Sequence, residues 1–328
     1  MTRTRAAGLL MAICLLAACD DRAPSSLRTH APQGDRIAHV FWLMFLLAAA
    51  VYVVVGGLIV VAATRGRRRG GARPSRASDE RFIWLGGIAV PAVILAVLAT
   101  VTVGSANVLR DPGHDPLRVE VIGKRWWWAV RYPREGITTA NEIRVPVGRP
   151  VEVLLRSDNV IHSFWVPELN GKMDTIPGQT SVHHFTATRA GTYRGECAEF
   201  CGLQHANMNF VVLAEPAADF DRWVVQHRNP PSGPASELEA RGEAVFVRSA
   251  CAGCHTIRGT DARGVLGPDL TDFGGRQSIG AKTVPNDRAR LEGWIADPRS
   301  IKPGVLMPPT ALEPDELQAL VAYLESLK

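Results

Sequence analysis

Apolar residues run in two lengths along this chain, long near the N-terminus and short beyond it. Ile37 to Thr64 contains no Lys, Arg, Asp or Glu, and neither does Phe82 to Leu109. Each run exceeds the about 20 residues that cross roughly 30 Å of hydrocarbon, so the pattern predicts membrane-spanning helices over 37–64 and 82–109. Pro91 is tolerated in such a span, where neighbouring groups satisfy the freed carbonyl. Ala6 to Leu16, behind Arg3 and Arg5, is too short for a comfortable span and reads as an export signal. From Asp111 to Gln226 the period shortens to two, with strands expected around Leu117–Val121, Val151–Leu155, Val182–Thr186 and Met208–Leu213. Many short strands with Gly and Pro punctuation predict a β-sandwich. A Pro-, Ser- and Gly-rich linker follows from His227 to Ser236 and reads as a flexible coil. Helices are expected again around Gly242 and Phe246, and around Leu320 and Tyr323.

Charge refines the topology. The formal net charge is +5, and the loop 65–81 alone carries seven Arg against Asp79 and Glu80. The positive-inside rule places that loop in the cytoplasm, so the hairpin starts outside, turns inside and returns outside. The excess is thus a topology signal that also suits anionic lipid heads, and a nucleic-acid partner is not expected. Leu16-Ala17-Ala18-Cys19 resembles a bacterial lipoprotein cleavage box, which implies acylation of Cys19; a plain secretory signal is the alternative. The expected division is a signal peptide 1–18, a lipidated tether 19–36, the first span 37–64, a cytoplasmic loop 65–81, and the second span 82–109. An all-β domain 110–226, the linker 227–236 and an all-α domain 237–328 complete it. The fold class is a multidomain membrane protein of the bacterial inner membrane, its two folded domains on the periplasmic side.

The chemistry lies in twelve residues from Cys197 to Met208, which carry Cys197, Cys201, His205 and Met208. Two thiols, an imidazole and a thioether favour copper. Zinc would take the thiols and the imidazole but has little use for the thioether. The second thiol leaves room for a second ion; a Cys197–Cys201 disulfide is the bland alternative. A second signature, Cys251-Ala-Gly-Cys254-His255, is the attachment motif of c-type haem. From Thr256 to Lys328 there is no other His and one Met, Met307, so elimination points to Met307 as a sixth iron ligand. Met/His ligation suits electron transfer. The six cysteines are then accounted for, with Cys14 and Cys19 in the export segment and no pair left for a structural disulfide.

The first segment closely resembles the binuclear copper loop of cytochrome c oxidase subunit II, a family with a cupredoxin sandwich. The resemblance implies two copper ions (the CuA centre) bridged by both thiolates. It adds His162, in Asn159-Val-Ile-His162-Ser-Phe-Trp165, and the backbone carbonyl of Glu199 as ligands. It further implies that electrons enter at Trp126 in the Trp126-Trp127-Trp128 cluster, and that Glu199 offers its side chain to a magnesium ion shared with subunit I. The C-terminal segment resembles class I cytochrome c, with one covalent haem c. There the pairs Gly242/Phe246 and Leu320/Tyr323 cross, Pro268 orients the haem histidine through its carbonyl, and Trp294 sits near a propionate or simply in the core.

Together these identify a caa3-type subunit II with a fused cytochrome c domain. The implied role is to receive electrons at the haem, pass them to copper and hand them to subunit I. Oxygen would be reduced to water there, coupled to proton translocation. Implied partners are subunit I, the other oxidase subunits, membrane lipid, and a soluble or membrane cytochrome c or bc1-type donor. An accessory subunit of a nitric oxide reductase, or a free-standing membrane-tethered carrier, would carry the same modules. Glu80 lies at the cytoplasmic mouth of the second span and reads as a topological charge rather than part of a proton path. His114, His183, His184 and His227 have no partner signature.

Overall fold

The computed structural model describes residues 23–66 and 76–328; the expected export segment, Cys14, Cys19 and most of the basic loop lie outside them. Helix α1 (Pro32–Gly66) is 35 residues long, about 52 Å at 1.5 Å per residue, so it outreaches the hydrocarbon. Its partner is continuous from α2 (Arg76–Phe82) through a π-helical segment (Ile83–Ala89) into α3 (Val90–Arg110). The π-segment has a local cause. Pro91 sits in the first turn of α3 and donates no hydrogen bond, and a wider turn just before it absorbs the missing rung. Both helices expose their apolar residues, among them Phe45, Tyr52, Ile59, Trp84 and Leu95, as spans facing lipid do. Arg36 Nε donates to Ser105 Oγ at 3.1 Å and ties the hairpin near its outer end.

The helical hairpin is fastened to the domain above it. The amide of His30 donates to the Glu168 carbonyl at 2.8 Å, the amide of Thr188 returns to the His30 carbonyl at 2.9 Å, and Gln33 Oε1 accepts from the Thr186 amide. That domain is a sandwich of two five-stranded sheets. One runs β3 (Ile137–Ala140), β2 (Trp127–Tyr132), β1 (Leu117–Lys124), β5 (Val151–Ser157), β8 (Ser181–Phe185). The other runs β4 (Glu142–Pro146), β10 (Asn209–Glu215), β9 (Gly191–Cys197), β6 (His162–Trp165), β7 (Met173–Thr175). β1–β5 and β4–β10 are parallel and the other pairs antiparallel. Alternation sends Val119, Val121, Val151, Val153 and Leu155 inward, where each is essentially fully buried. Trp128, Phe164 and Phe210 form the aromatic centre, Phe164 stacking on Phe210 at 4.5 Å. Helix α4 (Ala217–Arg228) closes the domain through Phe220 and Trp223.

The C-terminal domain is helical. Helix α5 (Glu237–Arg248) is capped by Ser236, whose hydroxyl accepts from the Glu239 amide. It crosses α9 (Pro314–Ser326) so closely that a Cβ on Gly242 would stand 2.0 Å from the Ala319 carbonyl oxygen, so only glycine fits. Phe246 meets Tyr323 edge-on at 6.3 Å in the same crossing. Between them lie the turn α6 (Cys251–Cys254), a short hairpin β11 (Ser278–Ile279) and β12 (Val284–Pro285), α7 (Arg288–Ala296) and α8 (Pro298–Ile301).

The link between the two folded domains is shorter and more constrained than the free coil expected from its composition. α4 extends through Arg228, so coil begins at Asn229. Arg258 donates to the carbonyls of His227, Arg228 and Asn229, clamping its start to the helical domain. The domains also touch directly. Thr139 Oγ1 donates to Asp272 at 2.7 Å, and Glu142 Oε1 accepts from the Gln277 amide at 2.7 Å. Asp272 is held in turn by a buried ion pair with Arg276. At the far edge Gln204 Nε2 donates to the Pro303 carbonyl at 2.5 Å.

Candidate copper and haem centres

The sandwich brings His162 to the Cys197–Met208 loop through one strand pairing. β6 lies beside β9, with Phe164 opposite Cys197, so His162, two residues back on the same face, points at the Cys197 side chain. Cys197 Sγ lies 4.0 Å from His162 Nδ1, 3.8 Å from Cys201 Sγ and 3.2 Å from the Glu199 carbonyl oxygen. Cys201 Sγ lies 3.7 Å from His205 Nδ1 and 3.8 Å from Met208 Sδ. All six donors converge on one pole, and both thiols are free and buried. The donor set suits soft metal: two sulfurs in the middle, one imidazole on each, a thioether at one end and a carbonyl at the other.

Surrounding groups set the protonation. His162 Nε2 faces Asn159 Oδ1 at 3.0 Å; an amide oxygen only accepts, so Nε2 carries the proton and Nδ1 is left bare toward Cys197. The Asn159 oxygen is itself oriented by the Val160 amide at 2.9 Å. The Cys201 thiol hydrogen-bonds the Cys197 sulfur and draws Cys197 far toward thiolate, helped by His162, while Cys201 holds its own proton more tightly. A shift toward thiolate favours metal binding. Room for the His162 ring comes from Gly123, where a Cβ would lie 2.6 Å from His162 Cδ2. Trp128 backs the same ring edge-on at 5.9 Å.

Trp126 sits 9 % exposed beneath the haem domain, and its indole Nε1 donates to the Cys201 carbonyl at 3.0 Å. Next to it Lys302, from the haem domain, places its ammonium against the carbonyls of Trp126 and Asn207. Burial draws this lysine down to about 7, with Cys201 opposing the shift. The Glu199 carboxylate lies 3.7 Å from the Lys172 ammonium.

In the helical domain the Cys251–Cys254 turn presents two half-buried free thiols, and the His255 amide closes the turn on the Cys251 carbonyl at 2.9 Å. His255 Nδ1 meets the Pro268 carbonyl at 2.8 Å, which leaves Nε2 for a metal. Burial holds this imidazole below its ordinary pKa, in the neutral form that ligates. The arrangement fits covalent haem. Met307 is half-buried in the coil between α8 and α9. Trp294 packs against the core of this domain, with its ring over Gly280.

Of the histidines without a motif, His183 is buried beside Phe164 and driven down to about 4 by desolvation. His184 pairs with Glu152 at 3.7 Å. Asn159, Gly123 and Lys302 carry no sequence signature; each matters through a contact that only the folded chain creates.

Residues 134–215 match the family described as the periplasmic domain of cytochrome c oxidase subunit II, and residues 239–328 match cytochrome c. Cytochrome c oxidase subunit 2 of Alkalihalophilus pseudofirmus is 37% identical over 246 residues, 73% of this chain and 71% of that one. The protein of the same name from Bacillus subtilis is 31% identical over 275 residues, 78% of this chain and 77% of that one. The chain belongs to the cytochrome c oxidase subunit II family and carries a C-terminal cytochrome c domain.

Proposed function

We propose that this chain is the electron-receiving subunit of a caa3-type cytochrome c oxidase in the bacterial inner membrane. Electrons reach its haem domain from a reduced cytochrome c or bc1-type donor, pass to the copper centre, and leave for subunit I, where oxygen is reduced to water with proton translocation. When bound, haem and copper supply two one-electron sites in series.

The protein's part is to hold and order them. His162, Cys197, Glu199 (carbonyl), Cys201, His205 and Met208 would hold two copper ions; Cys251 and Cys254 would bind the haem covalently, with His255 and Met307 on its iron. Trp126 would bridge the two. Glu199 would offer its carboxylate to a magnesium ion completed by subunit I, and Cys19 would carry lipid. The observation that carries the reading is the convergence of two free thiols, two imidazoles and a thioether at one pole of the sandwich, with the haem domain docked over it.

Purification in mild detergent tests it. The expected product is a complex with a larger polytopic subunit that consumes oxygen with reduced cytochrome c and contains two copper ions and one haem c per copy of this chain. A chain that comes out alone, or with zinc in place of copper, refutes the reading.

A further inference from the structure

We propose that Lys302 pins the haem domain to the copper loop and is a positioning residue for electron passage between them. The side chain is 1 % exposed, and its ammonium reaches three backbone carbonyls: Trp126 at 3.1 Å, Asn207 at 2.7 Å and Gly280 at 2.7 Å. An ammonium has three protons, so every donor is used. Two of the acceptors belong to the copper domain and one to the haem domain.

The two copper-domain acceptors are placed where position matters. Trp126 is the residue whose indole meets the Cys201 carbonyl, and Asn207 stands between His205 and Met208. Burying an ammonium is costly unless it is well hydrogen-bonded, so the three charge-assisted bonds hold it only while both domains are in register. The flanks reinforce that register: Gln204 Nε2 donates to the Pro303 carbonyl at 2.5 Å, and Leu203 lies against Gly304. Lys302 is also five residues before Met307, so the pin and the expected iron ligand share one short coil. In its protonated form the ammonium, set against the Trp126 and Asn207 carbonyls of the copper loop, favours an added electron on whatever that loop holds.

The inference rests on the haem-to-copper order proposed above. Its test uses the full-length, metal-loaded oxidase with Lys302→Met, which keeps the length of the side chain and removes its charge. Copper and haem content are expected to stay unchanged. Deuterium uptake at the amides of residues 204–209 and 280–283 should rise. Flash-induced transfer from haem to copper should slow by about tenfold or more as docking weakens, and the copper reduction potential should fall. Lys302→Arg keeps the charge but its planar fork does not converge on three carbonyls, so it should retain the potential while uptake still rises; it also serves if the Met variant does not assemble. Unchanged uptake in both variants overturns the pin whatever the electrons do. Absence of haem-to-copper transfer in the unsubstituted protein would refute the relay instead, and the uptake result would still judge the pin.

Discussion

The indole nitrogen of Trp126 donates to the carbonyl oxygen of Cys201 at 3.0 Å. A residue from the turn between β1 and β2 is thus tied through one hydrogen bond to the backbone of a proposed copper ligand. Lys302 of the haem domain sits on the Trp126 carbonyl, so the proposed route from haem to copper passes this residue. Trp126→Phe keeps an aromatic ring and loses the bond. Copper content should hold while copper reduction by the haem slows by about fivefold, the equivalent of ~1 kcal/mol of a net hydrogen bond. Stopped-flow absorbance of the copper band measures it.

The two central thiols are not interchangeable with hydroxyls. Cys197 and Cys201 lie 3.8 Å apart with one imidazole on each. Serine is a hard, un-ionised donor, so Cys197→Ser or Cys201→Ser should abolish the mixed-valence paramagnetic signal and leave at most one copper per chain. Paramagnetic resonance together with metal analysis decides the outcome.

Acid should loosen the sandwich through His183. Desolvation lowers its pKa from the ordinary 6.5 to about 4. The folded domain therefore binds fewer protons than the unfolded chain between these values. Stability is complete above about pH 6.5 and falls as the pH drops toward 4, by up to ~3 kcal/mol. His184, its neighbour, lies 3.7 Å from the Glu152 carboxylate. His183→Phe should flatten this part of the profile in thermal melts of the full chain in detergent; an unchanged profile would assign the acid sensitivity to other groups.

Met307→Ala should leave the haem attached, because the proposed carbon–sulfur bonds to Cys251 and Cys254 would be independent of the axial ligand. Loss of the thioether should convert the iron to high spin and lower its potential. The red-edge sulfur-to-iron absorption band reports the change; its survival would show that another group fills the sixth position.

Much of this protein is written locally. The two spans follow from runs of uncharged residues, and the helices over Pro32–Gly66 and Arg76–Arg110 overshoot them at both ends. Cys197, Cys201, His205 and Met208 need only twelve residues of chain, and Cys251, Cys254 and His255 only five, so spacing alone carries most of their chemistry. The side chains that serve those motifs are distant from them. His162 reaches Cys197 because β6 pairs with β9; Gly123 makes room because β1 passes behind that ring; Asn159 fixes which nitrogen is bare. Composition made His227–Ser236 a flexible coil, yet Arg258, about thirty residues on, binds its first carbonyls. Lys302 is an unremarkable lysine until it meets Trp126, 176 positions earlier. Ligand type and spacing are properties of neighbouring residues, so they can be read along the chain. Orientation, desolvation and docking depend on atoms that become neighbours only when two sheets pack and a second domain settles on their edge.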